Sequence, residues 1–282
     1  MQDKSNHKFW GGFAKLVSLN VVLTLMAVLL VLPFTWMVLA SLKVLDEIGY
    51  DSWLPEVCQW HNYRDVFTMK GIFFGRWYWN TVFVSSWITF LQVFTSSLAA
   101  FSFSRLRWKG RDKVFFLYLA TMMLPGLVMM IPNYQNMILL GLVDSYAGLI
   151  IPASFSAFGT FLMRQFMMNI PKSLDEAAEI DGATKWQLYW DVVLPLARPA
   201  LVTLTIFTFI GSYNNLFWPL VMMKTPDKYT LPIGMLSFQS SQGQQTNLLM
   251  AAVAMSVVPM IIIFVLMQKQ LVKGIMLGGV KG

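Results

Sequence analysis

The sequence predicts an all-α polytopic membrane protein with six transmembrane helices, and two observations lead to that prediction. Only 12% of the 282 residues are Asp, Glu, Lys or Arg, whereas 56% are hydrophobic. Soluble domains have about 25% charged residues, and a single soluble domain of this size cannot bury so much apolar side chain. Charged residues are also absent from six long segments, each close to or above the roughly 20 residues that cross a bilayer as a helix.

The predicted spans follow these charge-free segments in order along the chain. The third is expected to end near Ile131, because polar residues follow it, and the sixth to begin near Leu248, after a polar stretch. The first is longer than the hydrophobic region of a secretory signal, about 7 to 15 residues, and is predicted to be a spanning anchor. The predicted spans are residues 16–41, 79–103, 114–131, 146–163, 200–223 and 248–268.

The distribution of Lys and Arg between the spans predicts the orientation of the chain. Segments 1–15, 104–113, 164–199 and 269–282 contain 15 of the 21 Lys and Arg, and segments 42–78, 132–145 and 224–247 contain the other six. Both termini are therefore expected in the cytoplasm. The basic segment 104–113 is interpreted as a signal for topology and anionic headgroups rather than as a nucleic-acid site.

The residues missing from the spans exclude several function classes. No predicted span contains a charged residue or a histidine, which argues against coupling to an ion gradient. His7 and His61 lie outside the spans, and no phosphate-binding Gly-Lys-Ser or Gly-Lys-Thr sequence occurs, so no catalytic residue, metal site or cofactor is predicted on this chain. Energy is expected to enter through a partner. A self-sufficient channel or carrier is the alternative from another class, and it would transport without partners.

Uncharged polar residues inside the second and fifth spans allow two readings. Those of the second span recur on one face of a helix, and those of the fifth cluster near its middle. They either form hydrogen bonds to neighbouring helices or line an uncharged pathway for hydroxyl-rich solutes. The candidate pathway residues are Ser85, Thr89, Gln92, Tyr213, Asn214 and Asn215.

The segment 164–199 is predicted to contain two short helices. A capping box that begins at Ser173 predicts a helix from Leu174, and Gly182 is suited to the left-handed conformation that closes it. A second capping box at Thr184 predicts another helix, which is expected to stop before Pro195. Alanines on one face of the first helix leave room for the close approach of another surface.

The sequence Glu-Ala-Ala-Glu-Ile-Asp-Gly at residues 176–182, followed by Leu194-Pro195, resembles the EAA loop of permease subunits of bacterial ATP-binding-cassette importers. Nearly the whole chain is similar to carbohydrate permeases of the maltose-transporter type, in their MalG-like branch. Further motifs that carry the resemblance are Asn62-Tyr63-Arg64, Trp79-Asn80-Thr81, Trp218-Pro219-Leu220 and the stretch 278–282.

The resemblance implies a type I ABC importer permease fold in the bacterial inner membrane. It implies a second homologous permease, two cytoplasmic ATPases that hold ATP and magnesium, and an external solute-binding protein as partners. The expected solute is a carbohydrate, in particular an oligosaccharide, with a polyol or a glycerol phosphodiester as the alternative.

The resemblance also assigns residues to these partners. It places Glu176, Ala177, Ala178, Asp181 and Gly182 in a coupling helix that docks on one ATPase. It directs the C-terminal residues Gly278, Gly279 and Lys281 toward the ATPase dimer, although composition alone reads this end as flexible. It assigns Gln239, Gln242 and Gln244, in a segment that otherwise reads as a solvated loop, to a contact with the binding protein.

Overall fold

The structure, a computed structural model, describes the backbone of residues 2–49, 52–239 and 245–279, with side chains over residues 19–48, 52–238 and 245–269. Within these ranges every regular element is a helix. The α-helices are α1 Gln2–Ser41, α2 Asn62–Thr68, α3 Phe74–Ser104, α4 Arg111–Ala120, α5 Gly126–Leu139, α6 Tyr146–Ala153, α7 Ala157–Met168, α8 Ser173–Ile180, α9 Lys185–Gln187, α10 Leu194–Leu196, α11 Arg198–Tyr213, α12 Phe217–Met222, α13 Leu231–Leu236 and α14 Thr246–Gly279.

Three unbroken helices of the described chain are long and apolar enough to cross a bilayer, and they lie within α1, α3 and α14. Three further candidates are pairs of helices that bend by 101°, 40° and 76° at a short break, which gives up to six spans. Large apolar side chains cover the outside of these helices, as in α1, where Leu29 is 72% exposed. Such surfaces are stable only against lipid or another protein.

The third predicted span, 114–131, is not one straight helix. It consists of α4 with a 3-10 turn at Thr121–Met123, and α5, which meets it at 101°. Leu124 is extended because Pro125 follows it, and α5 starts immediately after that proline. The helix then continues through Pro132 to Leu139, beyond the predicted end at Ile131.

The fourth and fifth predicted spans are also interrupted. The fourth, 146–163, divides into α6 and α7, and the hydroxyl of Ser156 accepts a hydrogen bond from the Gly159 N–H to start α7. The fifth, 200–223, does not match its candidate span, which joins residues 185–196 to α11 with a bend of 76° and ends at Tyr213; α12 follows after a break at residues 214–216, at the predicted polar cluster. Polar side chains at helix ends bond to free backbone groups, which explains their position at this break.

The C-terminal helix also differs from the predicted organisation. It continues from Thr246 through Pro259 to Gly279, past the predicted end of the sixth span at residue 268. The composition-based expectation of a flexible end is therefore wrong as far as Gly279. Glycine lowers helix stability by about 1 kcal/mol per residue relative to alanine but does not forbid a helix.

Two compact units can be distinguished, residues 1–72 with 238–255 and residues 73–237 with 256–282. In the first, Asn62 is buried at the start of α2, and its amide donates 2.9 Å hydrogen bonds to the carbonyls of Ser41 and Lys43. The hydroxyls of Tyr63 and Ser41 are 2.7 Å apart. These contacts attach α2 to the end of α1.

In the second unit α3 is the central helix, and it packs against α6, α7, α11 and α13. One buried cluster includes Ala100, Met163, Tyr189 and Leu204, and another includes Val84, Leu149 and Met222. A Cβ on Gly159 would lie 2.6 Å from the Ser96 hydroxyl oxygen, which shows how closely α7 approaches α3. Small residues at such contacts are typical of helix packing in membranes.

Candidate translocation site and coupling loop

A cavity of about 350 Å³ lies within the second unit between α3, α6, α7, α11 and α12. Its volume is at the lower end of the range for small-molecule sites, about 300 to 1,000 Å³. Apolar groups such as Leu149, Phe158 and the Trp218 ring form most of its wall, and no charged side chain of the described residues lines it. Its polar lining consists of hydroxyls and amides, from Thr81, Ser85, Gln92, Thr208, Ser212, Asn215 and Thr230.

Two of these hydroxyls have no hydrogen-bond partner within the described part of the chain. The Ser85 and Thr230 side-chain oxygens are buried and unpaired. Other polar groups of the lining are already engaged: the Gln92 amide donates to the Thr208 hydroxyl at 3.0 Å, and the Ser212 hydroxyl donates to the Thr208 carbonyl at 2.8 Å. Since an unpaired buried hydroxyl is destabilising by about 1–3 kcal/mol, the cavity is suited to a ligand that supplies hydrogen-bonding groups.

Three of the six candidate pathway residues, Ser85, Gln92 and Asn215, line this cavity. Thr89 lies instead in a largely apolar groove, and its hydroxyl donates to the Ser85 carbonyl at 2.7 Å. The other two residues were assigned to a pathway, but they do not line the cavity.

Those two residues, Tyr213 and Asn214, have structural contacts. The buried Tyr213 hydroxyl donates to the Ser256 carbonyl at 2.8 Å. The exposed Asn214 lies 3.5 Å from the Met260 sulfur. The candidate list did not include Thr208 and Ser212, which lie one turn apart on α11 by the spacing i, i+4, a spacing that the sequence shows.

The predicted coupling loop is the segment 164–199, and its first helix is α8. The prediction for the N-terminus of α8 is wrong, and that for its C-terminus is confirmed. No side chain caps its N-terminus, where Lys172 is the N-cap in a helical conformation, so the predicted capping box at Ser173 is wrong. Ser173 is the first residue of the helix instead. The C-terminal prediction is confirmed, because Gly182 has a φ of 83° directly after the helix.

The next helix of the loop starts as predicted and ends later. Thr184 and Gln187 form a reciprocal capping box. The helix then continues through a π-helical segment, Leu188–Val193, and through Pro195 to Leu196, so the expected stop before Pro195 is wrong. Proline has no N–H for the usual i−4 bond, and the Leu194 N–H bonds to the carbonyl of Tyr189, five residues back, so the helix widens instead of ending.

The five predicted coupling residues are not equally accessible. Glu176, Ala177, Asp181 and Gly182 are exposed, whereas Ala178 packs against the buried cluster of α3 and α7. Ile180, which sequence reasoning did not select, is 86% exposed. The exposed residues of α8 therefore include Leu174, Glu176, Ala177, Glu179 and Ile180, and Asp181 directly after the helix is exposed as well.

The segment after α12 is more ordered than a solvated loop. It contains a 3-10 turn at Pro226–Lys228 and helix α13. The Asn80 amide donates to the carbonyls of Asp227 and Tyr229 at 2.9 and 3.0 Å, and the Trp77 indole donates to the Pro226 carbonyl at 2.7 Å. These bonds fix the segment to the start of α3.

Asp144 also forms hydrogen bonds to the segment after α12. Its carboxylate accepts hydrogen bonds from the Lys224 N–H, from the N–H and hydroxyl of Thr225, and from the Lys228 ammonium. Burial raises the pKa of the Asp144 carboxyl, but these bonds, led by that of the Thr225 hydroxyl, lower it more, so its pKa lies well below the usual value.

The remaining predicted contact residues fall at the edge of the described chain. Gln239 ends a 3-10 turn, but its side chain is outside the described residues, as are Gln242 and Gln244. Gly278 and Gly279 form the last described residues of α14, and Lys281 lies beyond them. The contacts predicted for these residues stay predictions.

A sequence profile of the family described as binding-protein-dependent transport system inner membrane component matches residues 92–276. The arabinooligosaccharides transport system permease protein AraQ of Halalkalibacterium halodurans is 32% identical over 268 residues, which are 94% of this chain and 96% of that protein. The sn-glycerol-3-phosphate transport system permease protein UgpE of Yersinia enterocolitica is 37% identical over 204 residues, 72% of this chain and 73% of that protein.

The fold is similar to that of a chain in the crystal structure of a bacterial ABC transporter involved in the import of the acidic polysaccharide alginate. The TM-score is 0.79 at 27% identity, and the match covers 90% of this chain and 95% of that one. A chain of the MetNI methionine ABC transporter, at 15% identity and a TM-score of 0.52, shares the fold alone.

Proposed function

We propose that this chain forms half of the pathway through which an ATP-driven importer moves a neutral carbohydrate. The proposal starts from the family: the chain belongs to the binding-protein-dependent transport system inner membrane components. The chain is a permease subunit of the bacterial inner membrane with the type I ABC importer fold. The solute, the residues that contact it and the arrangement of the partners are the proposed part.

The cavity is the observation that supports a neutral carbohydrate. Its polar lining of hydroxyls and amides matches the donors and acceptors of a sugar ring, and the Trp218 ring adds an apolar face. A charged solute in a site of this kind needs an opposite charge, because burying an isolated charge is strongly unfavourable. The described lining has none, which disfavours a glycerol phosphodiester on the contacts that this subunit supplies.

The proposed assembly has a second permease, two cytoplasmic ATPases and an external binding protein. Both termini are placed in the cytoplasm by the Lys and Arg distribution, so α8 faces the ATPases. Its exposed residues are partly small or apolar, such as Ala177 and Ile180, and partly acidic, such as Glu176, and such a surface is suited to docking in a cleft of an ATPase. Magnesium and ATP are held by that partner, and this chain catalyses no reaction.

Hydroxyl removal in the cavity tests the proposal. Ser85→Ala and Thr230→Val delete the two unpaired hydroxyls with little change in shape. A hydrogen bond contributes about 0.5–1.5 kcal/mol, so the double variant should raise the KM for uptake by roughly 5- to 150-fold. Uptake is measured in proteoliposomes that contain the complete complex, with binding protein, ATP and a panel of neutral sugars, polyols and glycerol phosphates.

Ser96→Ala is the matched control, because the Ser96 hydroxyl is equally buried and unpaired but does not line the cavity. An unchanged KM in the double variant would refute the cavity as the solute site. Preferred uptake of an anionic solute would refute the neutral class. Uptake by this chain alone, without ATPase and ATP, would refute the importer and favour a self-sufficient carrier.

A further inference from the structure

Arg105 is the first residue after α3, and its side chain is only 2% exposed. A buried arginine side chain is rare unless its positive charge is paired. This one donates to groups from two other elements. Its Nη1 donates to the Asp175 carboxylate at 2.8 Å, and its Nη2 donates to the carbonyls of Met167 at 2.7 Å and Ile170 at 3.0 Å.

The three acceptors belong to parts of the chain that are expected to move together. Met167 is in the last turn of α7 and Ile170 follows the helix, so Arg105 donates to two carbonyls at the C-terminal end of α7, of which that of Met167 also accepts from the Ile170 N–H at 3.2 Å. A positive charge at a helix C-terminus is also favoured by the helix dipole. Asp175 is in the first turn of α8, the proposed coupling helix.

The planar guanidinium makes this arrangement specific to arginine. Its donors diverge in a fixed fork, so one group bonds the carboxylate while its neighbour bonds both carbonyls. A lysine ammonium has the charge but not the fork. The contact therefore depends on both the charge and the geometry of the side chain at position 105.

The ion pair of Arg105 and Asp175 is not the most stable arrangement possible at this position. Arg105 Nε and Asp175 Oδ1 are buried without a partner among the described residues. Replacing a buried ion pair by well-packed apolar side chains is often neutral or stabilising, whereas removing one partner is strongly destabilising. Such a pair fixes a particular geometry more than it adds free energy.

The second part of the loop is fixed to α3 by an independent contact. The Tyr189 hydroxyl lies 2.7 Å from the Ser97 hydroxyl, and its ring packs edge to face on Phe101 at 5.2 Å. The coupling loop is thus attached to α3 at two points, and it is not a loose tether.

We propose that Arg105 is a positioning residue that holds the coupling helix to α3 and α7, so that a displacement of α8 by the ATPase moves both helices. The inference rests on the proposed coupling function of α8. The Arg105 bracket, meaning Arg105 with Asp175 and the carbonyls of Met167 and Ile170, converts docking into motion of the spans. It takes no part in docking itself.

The test uses the complete complex in proteoliposomes, with Cys58 replaced by serine and Ala177→Cys added for crosslinking to the ATPase. Asp175→Ala opens the bracket and removes one partner of a buried pair, which is destabilising, but Arg105 stays bonded to two carbonyls, and the Ala177→Cys crosslink reports whether the complex has still assembled. The crosslink should still form, and solute taken up per ATP hydrolysed should fall at least about fivefold, the lower end of allosteric coupling. Lys109→Gln, which removes an exposed cation of the same basic segment, is the control and should leave the ratio unchanged.

Two further variants separate a bracket from a simple ion pair. Arg105→Lys keeps the charge without the fork and should also lower the ratio. The exchange Arg105→Asp with Asp175→Arg should not restore it, because the new carboxylate would face the carbonyls of Met167 and Ile170.

The outcomes that overturn the inference differ from those that overturn the docking proposal. An unchanged ratio in Asp175→Ala with the crosslink intact, or a restored ratio in the charge exchange, refutes the bracket alone. No crosslink from Ala177→Cys in the parent complex refutes α8 as the docking surface. Lower uptake and lower hydrolysis in equal proportion would show that Asp175 serves only assembly.

Discussion

Replacement of Gly182 tests whether the proposed coupling helix α8 needs a left-handed backbone conformation at its C-terminal end. Gly182 has a φ of 83°, and a Cβ built on it meets no atom within 4 Å. Its N–H bonds to the Glu179 carbonyl at 3.1 Å, and the next N–H, of Ala183, bonds to the Ala178 carbonyl at 2.9 Å. This is a Schellman motif, which requires a left-handed residue at position 182.

The strain of a left-handed residue at position 182 and the hydrogen bonds of the Schellman motif have similar free energies, so the residue type at this position decides whether the turn persists. An ordinary L-residue in the left-handed region is destabilised by about 1–2 kcal/mol, and a β-branched one by more. The two hydrogen bonds of the motif together contribute about 1–3 kcal/mol. Gly182→Val should therefore open the turn, whereas Gly182→Asn should keep it, because asparagine tolerates this conformation.

Coupled transport measures the difference. We expect Gly182→Val to insert in the membrane but to lose solute-stimulated ATP hydrolysis and uptake, and Gly182→Asn to retain most of both. Because a Cβ at position 182 meets no atom of the described residues within 4 Å, a clash of that atom does not explain a difference between the two variants. Normal activity in Gly182→Val, or equal loss in both variants, would refute the conformational argument.

Two further predictions concern stability, measured as Tm of the detergent-solubilised protein. Gly159→Ala should lower Tm, because the new Cβ would lie 2.6 Å from the Ser96 hydroxyl oxygen. Overpacking of this kind is destabilising by about 1–3 kcal/mol, whereas the higher helix propensity of alanine is stabilising by about 1 kcal/mol. Adding Ser96→Ala should recover most of the lost Tm, and no recovery would contradict the contact. Asp144→Asn should lower Tm at neutral pH. Because the pKa of Asp144 is depressed in the folded state, the difference in Tm between wild type and variant should be complete at pH 5 to 8 and should shrink below about pH 4. A constant advantage down to pH 3 would contradict that assignment.

The sequence predicted the parts of the fold that depend on composition and on local backbone chemistry. Charge-free segments coincide with the three unbroken candidate spans and overlap the three bent helix pairs, since hydrocarbon excludes charges wherever they occur. The turn at Gly182 and the capping box at Thr184 were predictable because each involves only neighbouring residues. The bend at Pro125 was not, because the hydrophobicity of a span says nothing about its straightness.

The candidate cavity was only partly predictable, because it depends on which helix faces meet. Periodicity placed Ser85, Thr89 and Gln92 on one face, but the packing of α11 and α12 left Thr89 out and brought in Thr208. Thr230 is more than 130 residues from Gln92 and enters the cavity because the segment around it is fixed to α3. The Arg105 bracket was missed for the same reason, since the basic segment 104–113 reads as a topology signal alone.

Helix α3 connects the three regions that an importer subunit must coordinate. Its start holds the segment of residues 226–229 through Trp77 and Asn80, its middle supplies Ser85 and Gln92 to the cavity, and its end is followed by Arg105. Ser85 and Arg105 are about 30 Å apart along the helix axis, at 1.5 Å per residue. A rigid tilt of about 5° at that length moves one end by roughly 2.5 Å, which is comparable to the length of a hydrogen bond. Movement of α8 transmitted through the bracket would therefore suffice to break or make contacts with a solute in the cavity, without any change in the fold of α3.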